Sequence, residues 1–418
     1  MQPIVKLDRT LVAVEVDQTV HVMLELVAPP APIAGRAPID VVAVLDRSGS
    51  MSGAPLDAVL AATNMLVRLL DADDRIAVVT FDDRVDMVLP LSHHNPAAAE
   101  QALAGVGSGG STNLSGGWLK GLEILSAHGR PGAVKRILVL TDGQANAGIV
   151  DPDALCGLAS AAKGQRITTT MVGFGDAFDE RLLAAMADAG GGNDYWCAGV
   201  DQAPQVFSAE FAGLASVVAQ NISAEIRPTD AAANCLVLNE YPITAVDGGM
   251  QVALGDAYGG ECRRVIAMFE LQAADQPGPV PVGDLVIRWV NTIGQVALHT
   301  VTVPVMVGAA AGVDIDTVAP DPEVTEQVNV LKVARARKDA HEAAGRGDYA
   351  AASQMLAAAL PAFEASGVGA AELDELRRDA VRLAADDWHG RDMKRTYSTM
   401  RSERRGRKQR FDDPGEVA

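Results

Sequence analysis

The sequence predicts a multi-domain α/β + β + α chain, in which a doubly wound, Rossmann-like α/β domain is inserted in a β-sandwich and followed by a C-terminal helical unit. Three observations predict it. Between residues 38 and 221, short apolar runs such as IDVVAVLD, RIAVVTFD and RILVLTD alternate with helical stretches, as in a mostly parallel sheet covered on both faces. On either side of that unit the helical period is lost, and β-rich runs separated by turn residues replace it. Beyond an acidic, Pro-containing linker, apolar residues return at helical spacing.

Taken in order, residues 1–37 hold two β-rich runs, 11–16 and 19–27, with Asp17-Gln18 as a turn between them. The second run alternates as Val20, Val22, Leu24 and Leu26. A lone hairpin is unstable in water, so these strands need partners from later in the chain. A Pro-rich link, PPAPIAGRAP, leads into the 38–221 unit, which opens with strand 39–46, a helix over 55–70 and strand 75–82. A short helix near Ala97, a helix over 116–127 and strand 136–142 follow. Asp151 then caps a helix with Pro152 at its first position. Strand 167–175, a helix over 179–189, a strand near Tyr195 and a helix over 204–221 complete the unit. Residues 222–308 carry six β-like runs. With the N-terminal pair they make about eight strands, which suits a sandwich. In 323–390, three stripes recur at helical spacing: Val324, Val328, Leu331 and Arg335; Ala352, Met355, Leu356, Ala359 and Phe363; and Leu373, Leu376, Ala380 and Leu383. They predict a helical hairpin or three-helix unit. Residues 391–418 are basic and polar, with too little to bury, and read as a flexible tail.

Composition bounds the function. Hydrophobic residues make up 48 % of the 418, so the chain is globular and long enough for two or three domains. A formal net charge of −19 argues against nucleic-acid binding by the body, because phosphate contacts need a basic surface. The four cysteines, Cys156, Cys197, Cys235 and Cys262, lack the CxxC spacing of zinc or thiol-redox sites and read as reduced thiols. The N-terminus has no basic-then-apolar pattern, and the most apolar window, 301–313, is too short to span a bilayer and contains Pro304. The expectation is a cytoplasmic protein without a membrane span. Abundant Ala and an excess of Arg over Lys suggest a bacterial source.

The first α/β strand ends in Asp46-Arg47-Ser48-Gly49-Ser50, a D-x-S-x-S at the carboxyl edge of a buried parallel strand. Ligand sites of doubly wound sheets form at that edge, where the winding direction switches. The strand wound the other way is read as RILVLTDG, which ends in Asp142-Gly143. Between them lies GSGGSTNLSGG, whose glycines permit close backbone approach and whose Thr112 can present a hydroxyl. Asp46, Ser48, Ser50, Thr112 and Asp142 thus converge from three loops. D-x-S-x-S alone fits equally a turn in which Asp46 caps a helix; Thr112 and Asp142 in their contexts favour a metal site. Such a donor set suits a hard cation, Mg²⁺ foremost, with Mn²⁺ or Ca²⁺ as alternatives. With few anionic ligands the cation stays electrophilic, and a partner's Asp or Glu completes its shell.

DRSGSMSG, GGSTNL and LTDGQANAG resemble, in order, the three metal-site segments of the von Willebrand factor type A family, and GFGDAFDERLLAAMADAGGGNDYW resembles a late segment of its bacterial members and of inter-alpha-inhibitor heavy chains. The resemblance covers residues 39–221. It implies a complete metal-ion-dependent adhesion site in which Ser48, Ser50 and Thr112 bind the metal directly and Asp46 and Asp142 act through water. It implies a protein-binding module, with a metal-dependent phosphohydrolase or a structural subunit with a buried metal as alternatives.

Other features read as structural. Arg47 fits either a residue that attracts an acidic ligand or one that points to solvent, the second favoured. Trp118, opening an amphipathic helix, reads as core. Arg346-Gly347-Asp348 reads as a helical-hairpin turn, with Gly347 ending one helix and Asp348 capping the next. His93 and His94 read as solvent-exposed. There is no GxxxxGK loop, no HExxH and no GxSxG elbow, so the chain is not read as an enzyme.

Overall fold

The computed structural model describes residues 1–31, 36–175, 177–197, 199, 202–293, 297–312 and 318–385. The basic segment 391–418 lies outside the described residues. Two packed sheets form the sandwich, and its core gathers inward-facing residues of both termini of the β region, among them Val20, Val22, Leu24, Leu26, Ile226, Phe269 and Trp289. Strand β3 (Gln18–Val27) is central. It pairs antiparallel with β1 (Gln2–Leu7) on one side and β14 (Cys262–Leu271) on the other, and β11 (Ala232–Val237) closes that sheet. The second sheet runs β12 (Ile243–Val246), β13 (Gly249–Tyr258), β10 (Val217–Pro228), β15 (Gly278–Asn291), β16 (Ala297–Ala310) and β2 (Leu11–Ala13). The insertion of the α/β unit into a sandwich is therefore real.

Its details correct the sequence reading. The N-terminal hairpin is β1 with β3, not 11–16 with 19–27. The 11–16 run keeps only β2, which crosses to the other sheet and pairs parallel with Gly308–Ala310. β1 contains Pro3 and Lys6 and lies at a sheet edge, where Pro and charge are tolerated. The last helix of the α/β unit, α6 (Ala203–Ala215), ends before residue 221, and β10 begins at Val217. Paired β-branched residues, Val217 and Val218, enter the sheet directly, and Asn221 takes a φ of 52° where the β10 register shifts.

Within the α/β unit the sheet order is β6 (Val85–Ser92), β5 (Arg75–Phe81), β4 (Ile39–Asp46), β7 (Val134–Thr141), β8 (Ile167–Phe174) and β9 (Gly191–Cys197). Every strand but β6 runs parallel to its neighbour. β6 is an antiparallel edge strand that the pattern did not announce, because its exposed face and Pro90 break the apolar run. α1 (Ala54–Leu69) and α6 cover one face; α3 (Leu114–His128), α4 (Pro152–Gly164) and α5 (Glu180–Gly190) cover the other. The winding reverses at β4, whose neighbours are β5 and β7, so the loops after β4, β5 and β7 share one edge.

The helical unit is α7 (Pro322–Gly345), α8 (Tyr349–Ala365) and α9 (Ala370–Ala384). Its core uses Leu356, Phe363, Leu373, Leu376, Ala380 and Leu383 as expected, whereas Met355 is exposed. Gly347 takes a φ of 81°, and Asp348 caps α8 by accepting from the Ala351 amide at 3.0 Å, so Arg346-Gly347-Asp348 is the hairpin turn. α7 lies on the outer face of β3 and β14, where Met23 and Ile266 meet Val324, Val328 and Leu331. β3 thus feeds two cores by simple alternation: Val22 and Leu24 point inward and Met23 points to the helix. Among the described residues no helix is long and apolar enough to cross a membrane.

Candidate metal centre

β4 is buried along its whole length, so its chain can turn toward solvent only after Asp46. Asp46 is fully buried and held from two sides: its Oδ1 accepts from the Ser48 amide at 2.8 Å, and its Oδ2 accepts from Thr141 Oγ1 at 2.5 Å. Those bonds fold Arg47–Ser50 into a tight turn that continues into a short 3₁₀ segment at Gly49–Met51, whose Met51 is anchored in the core beneath. The turn presents two hydroxyls, Ser48 Oγ and Ser50 Oγ, 3.2 Å apart, and Ser50 Oγ donates to Asp142 Oδ1 at 2.7 Å.

The Thr112 loop is strapped to both neighbours. The Gly109 amide donates to Arg47 O at 2.8 Å and the Gly49 amide to Gly110 O at 3.2 Å. Thr112 N donates to Asn146 Oδ1 at 2.8 Å, and the Asn146 and Ala147 amides return bonds to Thr112 O. Gly143 is the space between donors: a Cβ there would stand 3.1 Å from Thr112 Oγ1 and 3.8 Å from Ser50 Oγ. The structure therefore brings all five sequence-predicted donors, Asp46, Ser48, Ser50, Thr112 and Asp142, to one place.

The electrostatics fit a cation. Burial pushes both the Asp46 and Asp142 carboxyls above the ordinary range; at Asp46 the bonds from Thr141 and Ser48 oppose this and the nearby Asp142 charge adds to it. No basic side chain bonds to either carboxylate among the described residues. Three hydroxyls in front of two carboxylates is an all-oxygen set of low charge, the kind a hard divalent ion accepts. Thr141 and Asn146 were missed by the sequence reading. Each sits within LTDGQANAG, and the signal was a hydroxyl and an amide flanking the motif aspartate.

A family model described as von Willebrand factor type A domain matches residues 40–204. The α/β unit is a von Willebrand factor type A (VWA) domain. An uncharacterized protein of Synechocystis, sll0103, is 28 % identical over 334 residues, covering 77 % of each chain. The human inter-alpha-trypsin inhibitor heavy chain H6 is 26 % identical over 160 residues, which is 35 % of this chain and only 12 % of the relative. Among solved structures, a von Willebrand factor type A protein from Catenulispora acidiphila superposes with a TM-score of 0.70 at 17 % identity, covering 94 % of this chain and 88 % of its own. That likeness establishes the shared fold, sandwich and helices included.

Around the VWA donors the weaker readings resolve. Arg47 neither points to solvent nor faces the donors: its Nε donates to Asp82 Oδ2 at 3.1 Å and its Nη2 to Asp86 Oδ2 at 2.6 Å. Edge strand β6 supplies the second carboxylate, so the partner was invisible without that strand. Trp118 is fully buried and donates to Thr169 Oγ1 at 3.1 Å, a core residue as expected. His93 is exposed, but His94 is half-buried, its Nε2 within 2.7 Å of Pro90 O. The four cysteines are unpaired.

At the opposite end of the VWA sheet lies a polar cluster that sequence reading did not find. Arg136 of β7, fully buried, donates to Glu210 of α6 at 2.7 Å and Thr170 of β8 at 2.9 Å, and its Nη2 stands 3.3 Å from Asp256 of sandwich strand β13. Glu210 also accepts from Tyr195 at 2.7 Å and Asn193 at 3.0 Å. Burial works against the Glu210 charge, but Arg136 and these donors hold its carboxyl below the usual range. The sequence reading places Arg136 only as the first residue of strand 136–142 and assigns it no partner.

Proposed function

We propose that the VWA domain carries a complete metal-ion-dependent adhesion site and that the chain is a binding module which captures an Asp or Glu of a protein partner. The observation that carries this reading is the cradle at Gly143, where Ser48, Ser50 and Thr112 hydroxyls gather before the buried Asp46 and half-buried Asp142 carboxylates. Ser48, Ser50 and Thr112 would hold the ion, with Asp46 and Asp142 behind them. Mg²⁺ is the proposed ion, with Mn²⁺ or Ca²⁺ as alternatives. Bound there, a divalent cation supplies an electrophilic position that an incoming carboxylate can occupy. The protein's own work is positional: Asp46 orders the Arg47–Ser50 turn, Thr141 fixes Asp46, and Asn146 fixes Thr112.

The test is calorimetry of Mg²⁺ and Mn²⁺ with the full chain and with Asp46→Ala. Binding is expected in the first and absent in the second. Unchanged binding in Asp46→Ala would sink the site. Partner capture is expected to depend on the ion, so chelation and Ser48→Ala should each weaken a complex by a similar amount, roughly 2–5 kcal/mol. A phosphate ester turned over with metal and no partner, and spared once Asp46 and Asp142 are removed, would instead favour a phosphohydrolase.

A further inference from the structure

Two donors that must meet at one ion come from segments far apart in the chain: Ser48 stands in the turn after β4, and Thr112 in the loop before α3. One residue outside the donor set bonds to the chain neighbours of both. Asp82, which follows β5, accepts from the Asn113 amide on its carbonyl oxygen at 3.0 Å, and Asn113 adjoins Thr112. The Asp82 carboxylate accepts from Arg47, which adjoins Ser48: Nε stands 3.1 Å from Oδ2, and Nη2 3.4 Å from Oδ1. The backbone ties between the two segments, the Gly109 amide on Arg47 O and the Gly49 amide on Gly110 O, run through glycine, the residue least able to hold a backbone in one shape.

Both members of the pair are held in place. The Asp82 amide donates to Arg84 O at 2.9 Å and Asp82 Oδ1 accepts from the Arg84 amide at 2.7 Å, which fixes the carboxylate in the turn between β5 and β6. Arg47 Nη2 also donates to Asp86 Oδ2 of β6 at 2.6 Å, so its planar fork spans two carboxylates that a lysine ammonium could not bridge in the same way. The side chains of Arg47 and Asp82 are only 16 % and 10 % exposed, which limits screening by salt and water. The Arg47 backbone is held separately, its amide on Phe81 O at 2.9 Å and its carbonyl accepting from the Gly109 amide at 2.8 Å. Changing the side chain therefore leaves the backbone of the turn bonded.

We infer that Arg47 and Asp82 are positioning residues of the metal centre, a side-chain link that sets the separation of the Ser48 and Thr112 hydroxyls and so tunes the site to a small ion. The role rests on the reading that these donors hold a divalent cation, and it is opposite in sign to what the Arg47 charge would do. Charge alone makes a guanidinium beside the site repel the ion. Geometry makes it help, because partners that orient the ligands without touching the metal raise its affinity. The benefit falls unequally on different ions. Mg²⁺ demands near-octahedral oxygens at about 2.1 Å, whereas Ca²⁺ accepts about six to eight oxygens in a flexible shell. A loosened separation of the two hydroxyls therefore costs Mg²⁺ more than Ca²⁺.

Calorimetry of Mg²⁺ and of Ca²⁺ with the full chain, native and carrying Arg47→Met or Arg47→Lys, tests this beside thermal unfolding of each variant. Both variants are expected to lose about tenfold in Mg²⁺ affinity and about twofold or less in Ca²⁺ affinity. Were Arg47 a charge only, Arg47→Met would bind both ions more tightly and Arg47→Lys would bind them as the native chain does. Should the Arg47 variants fail to fold, Asp86→Asn, at an exposed position of edge strand β6, loosens Arg47 without touching the turn and should shift the ratio of Mg²⁺ to Ca²⁺ affinity in the same direction. Mg²⁺ affinity that holds or rises in the variants, or a loss shared equally by Mg²⁺ and Ca²⁺, overturns the inference and leaves the proposed function standing. Binding of neither ion by the native chain overturns both.

Discussion

Gly143 has no positive φ, and a Cβ there would stand 3.8 Å from Ser50 Oγ and 3.1 Å from Thr112 Oγ1, close enough that the Thr112 hydroxyl would have to give by a few tenths of an ångström. Gly143→Ala should therefore lower Mg²⁺ affinity by about tenfold, or about 1.4 kcal/mol, while the unfolding temperature barely changes. Titration calorimetry beside thermal unfolding checks both halves. Equal affinity in the variant would mean that the hydroxyls do not share an ion across that gap. Other residues act at the same range. Thr141 gives Asp46 its second hydrogen bond, and removing a buried partner of this kind costs about 1–3 kcal/mol. Arg47 shows how far a residue's role depends on its neighbours: beside the donors in sequence, it is spent on Asp82 and Asp86.

At the scale of elements, α7 joins the parts of the molecule. Its first turns rest on β3 and β14 through Val324, Val328 and Leu331, and Glu323 bonds Lys6 and Arg264 of the sandwich. Near its end, His341 is buried and lies in the field of Arg181 and Glu180 of α5 in the VWA domain and of its neighbour Glu342. Burial, aided by Arg181, holds this imidazole below its ordinary 6.5. The unfolded chain then binds a proton more readily than the folded one. Stability is full above the ordinary value and falls as pH drops through it toward the lower folded value. Thermal unfolding followed from about pH 7.5 to about pH 5.5 should show a larger loss in the native protein than in His341→Gln. Parallel losses would remove His341 as the cause.

At the scale of the whole molecule, the VWA domain is tied to the sandwich by chain continuity from α6 into β10 and by the cluster of Arg136, Glu210 and Asp256. Replacing one member strands buried charge, so Arg136→Met should cost about 3–5 kcal/mol in urea unfolding. Replacing Glu210 and Asp256 by Gln and Asn in the same chain should recover much of that loss, because no unpaired charge then remains. Removing residues 1–30 takes away β1, β2 and the whole of β3, the central strand of one sheet. Limited proteolysis should then cut the 222–308 region first. A resistant β fragment would show that the two halves of the sandwich fold separately.

The sequence by itself determined the parts whose signal is local. The apolar runs of β4, β5, β7 and β8 are buried on both faces, so each is recognisable without its neighbours. The donors Asp46, Ser48, Ser50, Thr112 and Asp142 lie in three compact segments at strand ends, where a doubly wound sheet places its sites. Only the tertiary structure decided the edge strands β1, β6 and β12, the crossing of β2, the partners of Arg47 and the burial of Arg136. The physical reason is common to them all. A half-exposed strand or a buried charge is stabilised by hydrogen bonds and ion pairs to residues far along the chain. No local pattern of apolar residues records which residues those are.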